Sequence, residues 1–188
     1  MFSLQIDDDV SLRMFTERDT EELHLLTMES KDHLRKWLGW LDKVRSLEDT
    51  LQYIRRSFDT FTSLGGFPTT FAIIYRGEIA GTISFNHISE VHRNGSIGYW
   101  IGKRFEGKGI MSRSFEAVVN YGFETLRLNR IEVRVANENI RSRAIPERFG
   151  FKKEGVLQQV EMLYDTYVDH VVYRMLHAEW KARQRSGI

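Results

Sequence analysis

The chain has 188 residues, 27 basic against 26 acidic for a formal net charge of +1, and no cysteine. The balanced charge excludes a strong global field for nucleic acid or an anionic membrane, and the missing cysteines exclude disulfides, thiolate metal sites and a cysteine nucleophile, which fits a reducing cytoplasm. A chain this long buries roughly 70% of its unfolded surface and needs no staple; MFSLQIDDDV is no signal peptide and no apolar run nears the ~18 residues of a membrane helix, so one soluble domain over residues 1–188 is expected.

Ser11 to Phe15 alternates like a strand. Asp19 caps a helical stretch towards Leu38, with Leu23, Leu26 and Leu34 on its apolar face. A second helix begins at Ser46, carries Glu48 and Asp49 in its first turn, sets Leu51, Ile54, Phe58 and Phe61 on one side, and ends at Gly65-Gly66. Strands at Thr69 to Tyr75 and Glu78 to His87 flank a hairpin turn at Arg76-Gly77. Ser96 to Gly102 is a third strand with Ile97, Tyr99 and Ile101 on one face. Lys108 to Leu126 reads as a helix that buries Met111, Phe115, Val118 and Gly122. A strand with Ile131, Val133 and Val135 follows, then a short helix from Asn139 to Phe149. Two last strands lie near Val156 to Leu163 and Asp169 to Leu176. The crossover around Lys108 demands parallel pairing within an otherwise antiparallel order, so the sheet is mixed.

The strand from Ile97 runs into Arg104-Phe105-Glu106-Gly107-Lys108-Gly109 and a helix starts at once. That places unpaired backbone N–H groups at a helix N-terminus, where the dipole favours an anion. Gly107 and Gly109 lack a Cβ, which lets a diphosphate approach the main chain, and Arg104 and Lys108 add charge. The other reading is a tight strand-to-helix connection that needs glycine for its backbone alone. The loop is neither a Walker loop nor a dinucleotide fingerprint, because it lacks Gly-Lys-Ser/Thr and a third glycine.

Further on stand Asn139-Ile140-Arg141-Ser142, Gly150-Phe151 and Glu154-Gly155. With the Arg104 to Gly109 loop, an early Leu-Arg-x-Trp-Leu run at Leu34 to Leu38 and a late Glu-x-Leu-x-x-x-Tyr at Glu161 to Tyr167, the chain resembles the GNAT N-acetyltransferase superfamily. It is most similar to the ribosomal-protein N-terminal acetyltransferases of the RimJ/RimL type. The resemblance implies an α/β GNAT fold: a mixed, mostly antiparallel seven-stranded sheet, about four flanking helices, and a splay between strands 4 and 5.

The same resemblance implies acetyl-CoA as co-substrate, with its diphosphate on Arg104 to Ile110 and its pantetheine along the backbone of Tyr99, Trp100 and Ile101. One of those N–H groups would stabilise the oxyanion, an interaction worth roughly 3 kcal/mol, and Gly98 and Gly102 flank an expected bulge. Asn139 is a pantetheine ligand or an ordinary N-cap, and the two roles are compatible. Ser142 donates to the leaving thiolate or is a solvent-facing helical serine. Glu161 is the general base, for which burial would have to raise its pKa, or a surface strand glutamate. Trp37, Trp40 and Tyr167 line the acceptor pocket or sit in the core. No acyl-enzyme is expected.

The six histidines show no ligand spacing, His87 and His92 fall at a surface turn, and Asp7-Asp8-Asp9 is no calcium loop, so no metal is expected. Pro146 predicts a tight or kinked first turn in the helix after Ser142. Three functions compete: transfer of acetyl to a protein N-terminus, transfer to a small amine (polyamine, amino sugar or drug), and a non-catalytic acyl-CoA-binding protein. Asp42 is the one acid in Leu34 to Arg45, which disfavours a polycation. The family makes a homodimer an expectation as well.

Overall fold

The computed structural model describes residues 2–186. These form β1 (Ser3–Gln5), β2 (Val10–Arg13), α1 (Thr20–Glu29), α2 (Lys31–Leu34), α3 (Leu47–Ser63), β3 (Thr70–Tyr75), β4 (Glu78–Ser89), β5 (Asn94–Ile101), α4 (Ile110–Glu124), β6 (Arg130–Ala136), α5 (Ile140–Arg148), β7 (Lys152–Leu163), β8 (Thr166–Leu176) and α6 (His177–Ser186). The eight strands are hydrogen-bonded in the order β1-β2-β3-β4-β5-β6-β8-β7. The sheet is mixed as expected, with eight strands where seven were counted. The addition is β1, which folds back antiparallel on β2 with Ser3 opposite Arg13. The strands expected as fourth and fifth are therefore β5 and β6.

The chain divides into two compact units. The first comprises Met1–Ser84 and Tyr99–Ser114. Its sheet buries Val10, Leu12, Phe71, Ile73 and Ile83. Arg76 and Gly77, with φ 51° and 88°, turn β3 into β4, the paired left-handed residues of a type I′ hairpin. Ser46 caps α3: its Oγ accepts from Asp49 N–H at 3.3 Å, while the Asp49 carboxylate accepts from Ser46 N–H at 2.9 Å, a reciprocal box. The long helix expected from Asp19 to Leu38 is instead broken into α1 and α2. Asp19 stands at the N-cap of α1 but makes no side-chain cap bond to it; its carboxylate instead accepts from Thr16 N–H at 2.6 Å and forks with Arg13 at 2.7 and 2.9 Å.

The second unit comprises Phe85–Gly98 and Phe115–Ile188. Phe115, Val118, Ile131, Val133, Val171 and Tyr173 form its centre, and Phe115 meets Phe149 and Phe151 at 5.6 and 5.3 Å between ring centroids. Gly122 allows close packing, since a Cβ there would lie 2.8 Å from Ile131 and from Phe85. β5 pairs with β6 in parallel through Asn94–Ser96 against Arg130–Glu132, and that ladder goes no further. β6 pairs with β8 along its whole length. α6, unanticipated in sequence, docks by Trp180, which donates to Asn120 at 2.8 Å and meets Phe123 at 5.2 Å. Its interior-facing residues are too few to leave a helical apolar pattern.

Pro146 lies buried within α5, which is α-helical from Ile140 to Arg148. The tight first turn expected there is replaced by an ordinary capped start at Asn139. Pro146 still offers no N–H to the Ser142 carbonyl.

Candidate active site

β5 positions the first set of residues. Ile97 and Trp100 are buried whereas Tyr99 and Ile101 are half-buried. Burial is uneven along the strand: Tyr99 and Ile101, two and four residues after buried Ile97, are only half-buried, while Trp100 between them is buried. The first unit holds Tyr99–Ile101 against β4 so closely that a Cβ on Gly81 would sit 2.2 Å from the Trp100 carbonyl oxygen. Gly102 N–H then bonds the Ala80 carbonyl at 2.8 Å.

A short 3₁₀ turn, Lys103–Phe105, leads into the loop and buries Phe105 against Tyr75. Gly107 and Gly109 have φ of +74° and +69°, and no atom lies within 4 Å of where either Cβ would be. Both glycines are required by backbone conformation, and both leave open space beside the main chain. The Gly109 carbonyl accepts from Arg113 N–H at 3.2 Å as α4 begins. The N–H groups before it have no carbonyl one turn back within the helix. From Gly107 onward the loop therefore gathers backbone donors at a helix N-terminus.

Its side chains are mostly engaged elsewhere. Arg104 reaches Glu78 at 3.1 Å and Glu29 at 3.8 Å, lying over the Phe105 ring. Lys108 holds its ammonium over Tyr75 and Phe105, 5.4 and 5.5 Å from the centroids. Glu106 meets His33 at 2.6 Å. The backbone, more than these cations, carries the capacity to grip an anion.

Arg113 was missed in sequence. It donates to the Lys108 carbonyl at 3.1 Å and to Asp7 at 2.6 Å, tying down the loop from its carbonyl side. The Arg113 hydrogen bond, aided by Asp9 N–H, holds the Asp7 carboxyl below its ordinary value. Spacing gave only a weak signal for it, since Arg113 stands one helical turn after Gly109.

The aromatic candidates of this unit lie outside the core. Trp37 is half-buried with the Lys36 ammonium 5.9 Å from its ring. Trp40 is exposed, 6.3 Å from Trp100 between centroids. Asp42 is paired with Arg35 at 3.0 Å.

In the second unit, Asn139 is the N-cap of α5, its side-chain oxygen accepting from Ser142 N–H at 3.3 Å. Ser142 is half-buried in the first turn. Arg143 fixes this helix by donating to the Asn137 carbonyl at 2.8 Å and to the Tyr173 hydroxyl at 2.9 Å, and Tyr173 donates to Glu147. Burial, with the Glu147 carboxylate beside it, pushes the Tyr173 phenol up.

Glu161 stands on β7 with its side chain 39% exposed. Its Oε2 is 2.8 Å from His170 Nε2, a partner absent from the sequence reading. Tyr167, 59% exposed, lies opposite Met162 in the β7–β8 hairpin. Among the described residues no three metal-ligating side chains cluster, and no helix is long and apolar enough to cross a membrane.

A mixed sheet with one parallel crossover, whose helix springs from a two-glycine loop, is the architecture of an N-acetyltransferase. The chain belongs to the GNAT acetyltransferase family, whose domain matches residues 9–152. It is 32% identical to YdaF of Bacillus subtilis (strain 168), over 98% of this chain and all of that one. It is 29% identical to the ribosomal-protein-serine acetyltransferase of Escherichia coli (strain K12), over 91% of this chain and 94% of that one. Among solved structures it is similar to RimL, a ribosomal L7/L12 α-N-protein acetyltransferase in complex with coenzyme A, with TM-score 0.88 and 28% identity over 93% of this chain and 98% of that one.

Proposed function

We propose that this chain transfers acetyl from acetyl-CoA to the N-terminal α-amino group of a protein, with a ribosomal protein as acceptor. The observation that carries the reading is the loop from Arg104 to Ile110, whose two left-handed glycines and helix N-terminus form an anion cradle suited to a diphosphate. Relatives that acetylate ribosomal proteins support the acceptor. The single family match runs across both compact units, which supports one acetyltransferase domain.

Residues take their roles from chemistry. Arg104, Phe105, Glu106, Gly107, Lys108, Gly109 and Ile110 hold the diphosphate, chiefly by main chain. Tyr99, Trp100 and Ile101 offer backbone groups to pantetheine, and one N–H polarises the thioester carbonyl. Asn139 contributes a second contact while capping α5, and Ser142 donates a hydrogen bond to the thiolate as it leaves. Glu161 takes the proton of the incoming ammonium, because only the free amine attacks. Trp37, Trp40 and Tyr167 receive the acceptor chain. The amine nitrogen bonds to the acetyl carbon, the tetrahedral adduct collapses, and coenzyme A leaves with no covalent enzyme intermediate. A cytoplasmic homodimer is part of the same reading.

The pairing of Asp42 with Arg35 argues against a polyamine acceptor, which would need free carboxylates. Full-length protein with acetyl-CoA, tested on N-terminal serine and alanine peptides beside spermidine, an amino sugar and free amino acids, should acetylate the peptides fastest. Faster turnover of a small amine would replace the acceptor assignment. No affinity for coenzyme A by calorimetry would remove the enzyme assignment altogether.

A further inference from the structure

We infer that His170 is the positioning residue for Glu161, and that an irregularity in β7 exists to bring the two together. The inference rests on the reading of Glu161 as the base.

The register of the β7–β8 hairpin carries it. Leu157 is opposite His170, and the next pair is Glu161 opposite Val168. Three residues, Gln158 to Val160, thus face Asp169 alone, so β7 contains two more residues than regular pairing would use. Continued regular pairing from Leu157 would set Glu161 opposite Thr166, four residues from His170, roughly 13 Å along the strand. The bulge moves Glu161 opposite Val168, on the same face as His170 and diagonally next to it, within reach of a long side chain.

The bulge is strained and specifically held. Gln159 has φ +50°, an uncommon conformation for a residue other than glycine. Its N–H donates to the Asp169 carboxylate at 2.8 Å. The neighbouring Asn137 N–H bonds the Asp169 carbonyl, also at 2.8 Å, which fixes that residue to β6's end. Strain of this kind persists where the surroundings over-determine it, and it collects at functional sites.

The result is an oriented carboxylate. Glu161 Oε2 is tied to His170 Nε2 at 2.8 Å, and the His170 side chain is only 18% exposed. Glu161 Oε1 has no hydrogen-bond partner among the described residues. One oxygen is anchored and the other is left to receive a proton, as an aimed base requires.

The test measures kcat and KM of the full-length protein with acetyl-CoA and a free N-terminal peptide. Variants are E161Q, H170A, H170N, H170Q and E161Q/H170A. H170A and H170N, whose shorter amide misses the carboxylate, should lose kcat by about ten- to a hundred-fold with the KM for acetyl-CoA unchanged. H170Q presents an N–H where Nε2 stood and should recover most of the loss. The double variant should be no slower than E161Q, since partners in one interaction do not add. H170N at wild-type kcat, or a double variant slower than E161Q by the full H170A factor, overturns the inference while leaving Glu161 as base. E161Q at wild-type kcat overturns the base assignment and the inference with it.

Discussion

Replacing Gly107 by alanine tests the diphosphate loop without touching any side-chain contact. At φ +74° no atom lies within 4 Å of the new methyl, so steric overlap contributes nothing and only backbone conformation is perturbed. A left-handed L-residue costs about 1–2 kcal/mol. Where the loop keeps its shape, that energy is lost from stability. Where it relaxes to negative φ, the amides turn away and binding must restore them, which weakens coenzyme A by about 5- to 30-fold, since 1.4 kcal/mol is tenfold. No atom packs on this position to enforce the strained state, so relaxation is the expected course. Gly109, at φ +69°, makes the contrast: Arg113 N–H holds its carbonyl at 3.2 Å, so more of the strain in G109A should appear as lost stability. Calorimetric Kd for coenzyme A and urea unfolding on each variant separate the two. G107A that binds coenzyme A as wild type does and also keeps the wild-type urea midpoint would refute this reasoning.

The remaining predictions address scaffold and pH. Gly81→Ala should be severely destabilising, because its methyl would meet the Trp100 carbonyl at 2.2 Å and the Ile101 Cα at 2.8 Å, both main chain; a melting temperature within a degree or two of wild type would contradict that close approach. Glu179 is held down to about 2 by hydrogen bonds from Arg174 and Lys152. Its folded pKa lies below its ordinary 4.5, so its contribution is complete above that pH and disappears as the pH falls through about 2. Amides of α6 should accordingly exchange faster as the pH drops through this window, relative to an E179Q control that lacks the dependence; equal pH profiles would show that Glu179 does not hold the helix. Ser46→Ala should cost about 1 kcal/mol through the lost cap of α3, read as a shift in urea midpoint at constant slope; an unchanged midpoint would mean the cap is redundant.

Much of the fold was legible because its periodicities are local. Ser46 with Asp49 announced α3, Arg76-Gly77 announced a hairpin, and alternation at Ile131, Val133 and Val135 announced β6. The loop from Arg104 to Gly109 could be read for the same reason: a turn that needs left-handed residues must spend glycines, and they are visible as letters. What failed were the elements settled by distant partners. Asp19 stands where a side-chain cap of α1 would, yet Arg13 and Thr16 claim its carboxylate. β1 is too short to show alternation, and α6 is held by Trp180 and Asn120, sixty residues apart in the chain.

The sequence by itself determined the order of the strands from β2 to β8, the two-glycine loop and the candidate carboxylate Glu161, since each depends on residue type and near-neighbour spacing. Tertiary structure alone decided that Arg113 reaches Asp7 and that Glu161 meets His170. The first joins residues 106 apart in the chain; the second depends on strand register, which is an energy balance between whole strands, and two residues bulged out at Gln159 redirect a side chain without leaving any mark in composition or period.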